Sequence, residues 1–355
     1  LTGDGAFTWR DANRTVLFGE GTLANAASIL AEHGLTEFDL LSTPRALADA
    51  DRLAGAAASR HEVAPGGVPE AAAAILDRVT TAAALPPDMP LPRRNAAAQQ
   101  LPAIVALGGG RVIDTAKAVA AVSGQRVAAI PTTLSGAEMT GIHRLPAGAE
   151  GRARGLVRPD LVIADPDPMT SQPEDHLRFS AMNALAHGAD SLYTPFANPV
   201  SKMTALRGAG LIGESLDQDR DRRDRSALAL GSILCGYAID SGLFAIHHVI
   251  CQTLVRMLGV PHAETNAATL PHAMSFMRDR APEEVGALAE ALGTNPGALP
   301  DRITELGHPK GLGELGADRG GLDEVLDAIQ ARPELGFTPE PPSREELKAL
   351  IEAAW

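Results

Sequence analysis

From Thr15 to Ile130, short apolar runs alternate with longer segments whose apolar residues recur every three or four positions. Short apolar runs bounded by turn residues read as buried strands, and the 3.6-residue repeat reads as helix. The pattern predicts strands over residues 15–19, 38–42, 104–107 and 126–130, and helices over 21–33, 46–57 and 112–122. Strands alternating with helices predict a parallel sheet covered by helices. The pattern changes after Asp165-Pro166-Asp167-Pro168: from about residue 171 helical periodicities dominate and strand runs nearly vanish. Ser343-Arg344-Glu345-Glu346 is a capping box opening the last helix. The expected fold class is thus α/β plus all-α, with a Rossmann-like parallel-sheet domain over 1–168 and an all-helical domain over 169–355. The Pro- and Ala-rich stretch 85–101 reads as a surface excursion, and the charge run 217–225 as a solvated loop or helix end.

Composition narrows the function classes. The chain has 355 residues, 45% hydrophobic and 21% charged, which suits a globular protein of two domains. Its net charge of −13 argues against nucleic acid, whose phosphates demand a basic face, but leaves room for an anionic small molecule met by local cations. No run approaches the roughly 20 apolar residues that span a bilayer, so no membrane partner is expected. The opening Leu-Thr-Gly-Asp has no basic or apolar leader character. Cys235 and Cys251 form no CxxC pair, and a cytoplasmic protein is expected.

Three segments suit a dinucleotide. Leu107-Gly108-Gly109-Gly110 with Asp114 is strand, glycine turn and helix start. Such a turn lets backbone approach a diphosphate, and the helix N-terminus offers free N–H groups. Asp114 is expected to shape the turn. Pro131-Thr132-Thr133-Leu134-Ser135 supplies hydroxyl and amide donors where a strand ends. Ser42, Pro44 and Arg45 follow another strand, at the place where an acid would bind the adenosine ribose of NAD. No acid stands there, so NADH and NADPH both fit.

The second half carries a histidine constellation. Asn183 and His187 share a helix face at i and i+4, and His247, His248 and His262 follow. The pattern Asp-x3-His…His-x13-His makes a divalent-metal site of one carboxylate and three imidazoles. Here an amide occupies the first position. If a metal binds, its ligands are His187, His248 and His262. Without one, the same imidazoles serve as proton donors and as partners for a substrate carboxylate.

These segments, with Ala116-Lys117, Ser135-Gly136-Ala137-Glu138-Met139-Thr140 and Pro261-His262-Ala263-Glu264-Thr265, resemble the iron-containing (group III) alcohol dehydrogenase superfamily, and within it the maleylacetate reductases. The resemblance covers nearly the whole chain. It implies a dehydroquinate synthase-like fold, with the active site between an N-terminal nucleotide domain and a C-terminal helical domain, and a homodimer. It implies reduction of maleylacetate to 3-oxoadipate by NADH or NADPH in the bacterial breakdown of aromatic compounds. In that subfamily Asn replaces the Asp ligand and metal is not required. Catalytic roles then fall to His248 and His262, with His187, Asn183 and His247 in the same pocket.

The chain departs from that subfamily at Gln252, at Val255-Arg256, at Asn266 and over 141–158. These departures bear on the substrate rather than on the cofactor site. Three alternatives remain at this level: a zinc- or iron-dependent alcohol or aldehyde dehydrogenase of the same superfamily, a carbon–oxygen lyase related to dehydroquinate synthase, and a non-catalytic or reassigned nucleotide-binding homologue.

Overall fold

The computed structural model describes residues 6–82, 101–153 and 155–355. Apart from Leu101, the stretch 85–101 lies outside them. Two compact units emerge: one runs to Thr133 and resumes over Ala137–Ser171, and the other takes Leu134–Gly136 with Gln172–Trp355.

The first unit is built on one seven-stranded sheet. Its strands are β1 (Phe7–Asp11), β2 (Arg14–Phe18), β3 (Phe38–Ser42), β4 (Ser59–Glu62), β5 (Ala103–Gly108), β6 (Val127–Pro131) and β7 (Leu161–Ala164). The spatial order is β1-β2-β7-β6-β5-β3-β4. Among the described residues only the β1–β2 pairing is antiparallel. The helices are α1 (Ala26–Glu32), α2 (Pro44–Leu47), α3 (Asp51–Ala56), α4 (Val68–Ala82), α5 (Gly110–Ser123) and α6 (Pro166–Met169). Alternate residues of β5 enter two separate cores: Ile104 and Ala106 pack with α4 and α5, while Ala103, Val105 and Leu107 pack with α1 and α3. Burial on both faces explains why these strands read as continuous apolar runs.

Three expectations shift in detail. The helix expected over 21–33 opens as a 3-10 turn, Leu23–Asn25, before α1. The helix expected over 46–57 is two short ones. Thr43 caps α2 early, and the chain turns at Ala50 to bury Ala50, Leu53 and Ala54 against Phe38 and Leu40. The charge run 217–225 is largely exposed, but Arg223 turns inward to Glu174 and the Ser215 carbonyl.

The second unit is helical: α7 (Glu174–Ser191), α8 (Pro199–Leu216), α9 (Arg225–Gly242), α10 (Ile246–Leu258), α11 (His262–Met277), α12 (Pro282–Ala291), α13 (Leu299–Gly307), α14 (Leu322–Gln330) and α15 (Arg344–Ala353). From Phe179 to Ser191 every residue of α7 is buried, the mark of a central helix. The α8–α9 crossing is backbone-close: a Cβ on Gly208 would meet the Gly231 carbonyl at 2.8 Å. Ser343 and Glu346 form the expected capping box on α15. Among the described residues no single helix is long and apolar enough to cross a membrane.

Candidate active site

In the sheet unit, the three segments expected to hold a dinucleotide meet at one edge. Ser42 pairs with Leu107, and Gly108 with Pro131, so the C-terminal ends of β3, β5 and β6 lie side by side. Gly109 is the N-cap of α5 and places no side chain on its free N–H groups. A Cβ there would stand 2.9 Å from Thr133 Cγ2, and one on Gly108 would stand 2.6 Å from Val112 Cγ2. Only glycine leaves this backbone bare, and a bare helix N-terminus suits a diphosphate. Pro44 and Arg45 are exposed beside it. Ser42 contributes differently: it is buried, and its hydroxyl donates to the Leu107 carbonyl at 2.8 Å.

Asp114 does not hold the glycine turn. It lies on α5, one turn before Lys117, and its Oδ1 is 2.8 Å from Lys117 Nζ. Lys117 is fully buried and donates to the Ala137 carbonyl at 2.9 Å and to Thr140 Oγ1 at 3.3 Å. The pair therefore ties α5 to the segment that follows β6. Beside it Glu138 is fully buried, with neither carboxylate oxygen hydrogen-bonded to another residue. Burial pushes its pKa up to about 7, against a backbone hydrogen bond and the charge of Lys117.

In the helical unit, Asn183, His187 and His248 come together. Asn183 Nδ2 donates to the Ser135 carbonyl at 3.2 Å, which leaves its Oδ1 buried and unpartnered. Ser135 thus sits in this cluster by its backbone. The His187 and His248 rings stack with centroids 5.0 Å apart. A Cβ on Gly136, whose φ is +69°, would stand 2.9 Å from His187 Nδ1, so the ring needs glycine there. His187 Nδ1 and His248 Nε2 are also buried without partners. Desolvation, then the neighbouring His248, His262 and His247, holds the His187 pKa well below its usual value. His187 is therefore neutral near pH 7.

Asp190, which the sequence reading does not single out, orients His248. It lies one turn beyond His187 on the same face of α7. Its Oδ2 accepts from His248 Nδ1 at 2.9 Å, from the His248 backbone N–H at 3.2 Å and from the Ala245 N–H at 2.8 Å. Tyr193 donates its hydroxyl to Oδ1. Burial raises the Asp190 pKa, but the hydrogen bond and charge of His248, then His247 and Tyr193, bring it down to about 2. A carboxylate fixed on Nδ1 places the Nδ1–H tautomer on His248 and leaves Nε2 for chemistry. The turn that delivers Ala245 is strained, since Leu243 is a non-glycine residue at φ +57°.

His247 and His262 are joined through Asn266. His247 Nε2 donates to Asn266 Oδ1 at 2.9 Å, and Asn266 Nδ2 donates to His262 Nε2 at 3.3 Å. His247 is fully buried, and desolvation lowers its pKa to about 3. It is therefore neutral near pH 7. His262 opens α11 and is exposed. Of the departures, Gln252 lies one turn after His248 on α10, whereas Arg256 points to solvent.

This donor set is a poorer match to a divalent metal than one carboxylate with three imidazoles. Asn183 offers a neutral amide oxygen, the His262 Nε2 lone pair is taken by Asn266, and the Asp190 oxygens are committed to Tyr193, Ala245 and His248. Among the described residues no three His, Cys, Asp or Glu side chains gather as ligands. With an amide in place of the carboxylate, no anionic side chain offsets the charge of a dication there, and the imidazoles would have to hold it with water.

Comparison with known proteins agrees with both halves. The iron-containing alcohol dehydrogenase model matches residues 13–166, and the C-terminal model of the Fe-containing alcohol dehydrogenase family matches 179–355. The maleylacetate reductase of Burkholderia cepacia is 33% identical over 358 aligned positions, covering 99% of this chain and 98% of the relative. That of Rhizobium sp. strain MTP-10005 is 30% identical over 98% and 97%. The crystal structure of maleylacetate reductase from Agrobacterium tumefaciens superposes with a TM-score of 0.80 at 28% identity, covering 99% of both chains. The chain belongs to the iron-containing alcohol dehydrogenase family of oxidoreductases, with maleylacetate reductases as relatives across nearly its whole length.

Proposed function

We propose that this protein is an NADH- or NADPH-dependent reductase of maleylacetate, or of a closely related unsaturated keto acid, acting in aromatic-compound breakdown without a required metal. One observation carries the reading: the amide of Asn183 stands where a metal site needs a carboxylate, beside two buried imidazoles, each with one ring nitrogen unpartnered. The maleylacetate reductases among the relatives support the choice of substrate.

Maleylacetate is an enone with a carboxylate at each end. Reduction adds hydride to the alkene carbon remote from the ketone. The π electrons move onto the ketone oxygen as an enolate, and a proton then adds to the carbon next to the ketone, giving 3-oxoadipate. When bound, the reduced nicotinamide supplies the hydride. Gly109, Gly110, Thr132 and Thr133 hold the dinucleotide at the sheet edge. His248 faces the enolate oxygen through Nε2, and its charged form is stabilised by Asp190 on Nδ1. Asn183 and His187 line the site, and His262 orients the substrate from its exposed end of α11. Conjugation already activates the alkene, so no Lewis acid is needed.

The test is product identification. Purified protein with maleylacetate should yield 3-oxoadipate with one coenzyme oxidised per product. Inertness toward maleylacetate together with turnover of simple aldehydes would replace this reading with an aldehyde reductase.

A further inference from the structure

Gln252 and Arg332 meet close to His248. Gln252 lies at i+4 from His248, so the two share a face of α10. Arg332 follows α14 and donates from Nη2 to Gln252 Oε1 at 3.1 Å. That bond fixes the amide: oxygen toward the guanidinium, and the NH2 group outward. Arg332 Nε is held by Glu334 Oε2 at 3.0 Å, and the guanidinium lies 5.9 Å from the Phe244 ring centroid. Phe244 in turn lies 5.8 Å from the His248 ring. Among the described residues, Gln252 Nε2 and Arg332 Nη1 have no other hydrogen-bond partner. Both side chains are part-buried and reachable from solvent.

We infer that Gln252 and Arg332 form a carboxylate subsite that anchors one end of the substrate. The inference rests on the reading of the substrate as an unsaturated keto dicarboxylate. Two N–H donors on side chains that are hydrogen-bonded to each other, one of them on a guanidinium, suit the two oxygens of a carboxylate. The Glu334 contact and the Phe244 ring keep the guanidinium oriented, so little freedom is lost on binding. An imidazole at position 252 would offer one donor at most in its neutral form. The amide gives the same function without titrating, and a protein of net charge −13 needs such local donors to receive a dianion.

The test combines kinetics and equilibrium binding on the full-length protein. Gln252→Glu keeps the shape and the Arg332 contact but turns the outward donor into an anion. It should raise KM for maleylacetate about 10–100-fold, the size of a lost hydrogen bond to a charged group, with a far smaller change in kcat. Arg332→Lys should also raise it, but by less, because an ammonium keeps the positive charge although it cannot span Gln252, Glu334 and the ligand at once. Two analogues, each lacking one terminal carboxylate, locate the contact: the Gln252→Glu penalty should vanish for one and persist for the other. A penalty that persists for both, or an unchanged KM, overturns the subsite. Adipate binding, measured by calorimetry with coenzyme present, separates the subsite from the substrate reading. Adipate bound by the parent protein and lost in Gln252→Glu supports the subsite even if maleylacetate is not turned over. Equal binding by both, or by neither, rejects it.

Discussion

Replacing Asp190 by Asn probes the centre of the proposed mechanism. The carboxylate accepts four hydrogen bonds, two of them from His248. Its pKa falls from 3.8 to about 2 despite full burial. At about 1.4 kcal/mol for each pH unit, that displacement is worth roughly 2–3 kcal/mol in favour of the charged form. Because the folded carboxyl titrates below its unfolded value, this stability is present above about pH 4 and is lost as pH falls through 2. Asn keeps the shape and one acceptor oxygen but removes the charge that steadies a protonated His248. A hydrogen bond to a charged group contributes about 1.5–3 kcal/mol, so kcat should fall about 10–150-fold if His248 becomes charged in the transition state. Coenzyme affinity should not change, because Gly109, Gly110, Thr132 and Thr133 lie in the other unit. The assay is steady-state coenzyme oxidation at 340 nm, with coenzyme binding read separately by fluorescence and folding by thermal melts. A folded Asp190→Asn protein with the parent kcat would refute the role given to Asp190 and would remove the imidazolium from the mechanism.

Other outcomes follow from the same geometry. His248→Ala should leave coenzyme binding intact and lower turnover on the order of 10²-fold, as losing a general acid does; single-turnover kinetics read it. Asn183→Asp places an anion beside His187 and His248 and should raise zinc affinity at least about tenfold, measured by competition with a chromophoric chelator. Glu138 concerns stability rather than catalysis. The unfolded chain releases this proton near 4.5 and the folded chain holds it to about 7, so stability should fall by about 3 kcal/mol as pH rises across that window. Glu138→Gln should flatten that slope in denaturant titrations at pH 5 and pH 8, and an unaltered slope would assign it to another group.

The parts of the fold most legible in the sequence are those buried on both faces. Phe38–Ser42 and the β5 and β6 runs announce themselves because nearly every side chain enters a core. β4 does not, since Ser59-Arg60-His61-Glu62 is an edge strand with alternate residues in water. Alanine-rich periodicity cannot show the break between α2 and α3, because alanine suits a helix as well as the turn that buries Ala50. At the site, spacing along single helices reveals Asn183 with His187, and the pair His247 and His248. Asp190 escapes notice because its partner is 58 residues away, and the sequence does not show which helix closes on it. Its position one turn after His187, amid an otherwise apolar run, is the signal that was available. Gln252 reads from sequence only as a departure from the subfamily, and Arg332, 80 residues later, gives it a use.

The most direct test of the account is coenzyme oxidation with freshly prepared maleylacetate, with and without a strong chelator, using both NADH and NADPH. The account predicts turnover of equal rate with and without the chelator. Turnover abolished by chelation and restored by zinc or iron would contradict it, and would mean that a metal binds at His187, His248 and His262 despite the missing carboxylate.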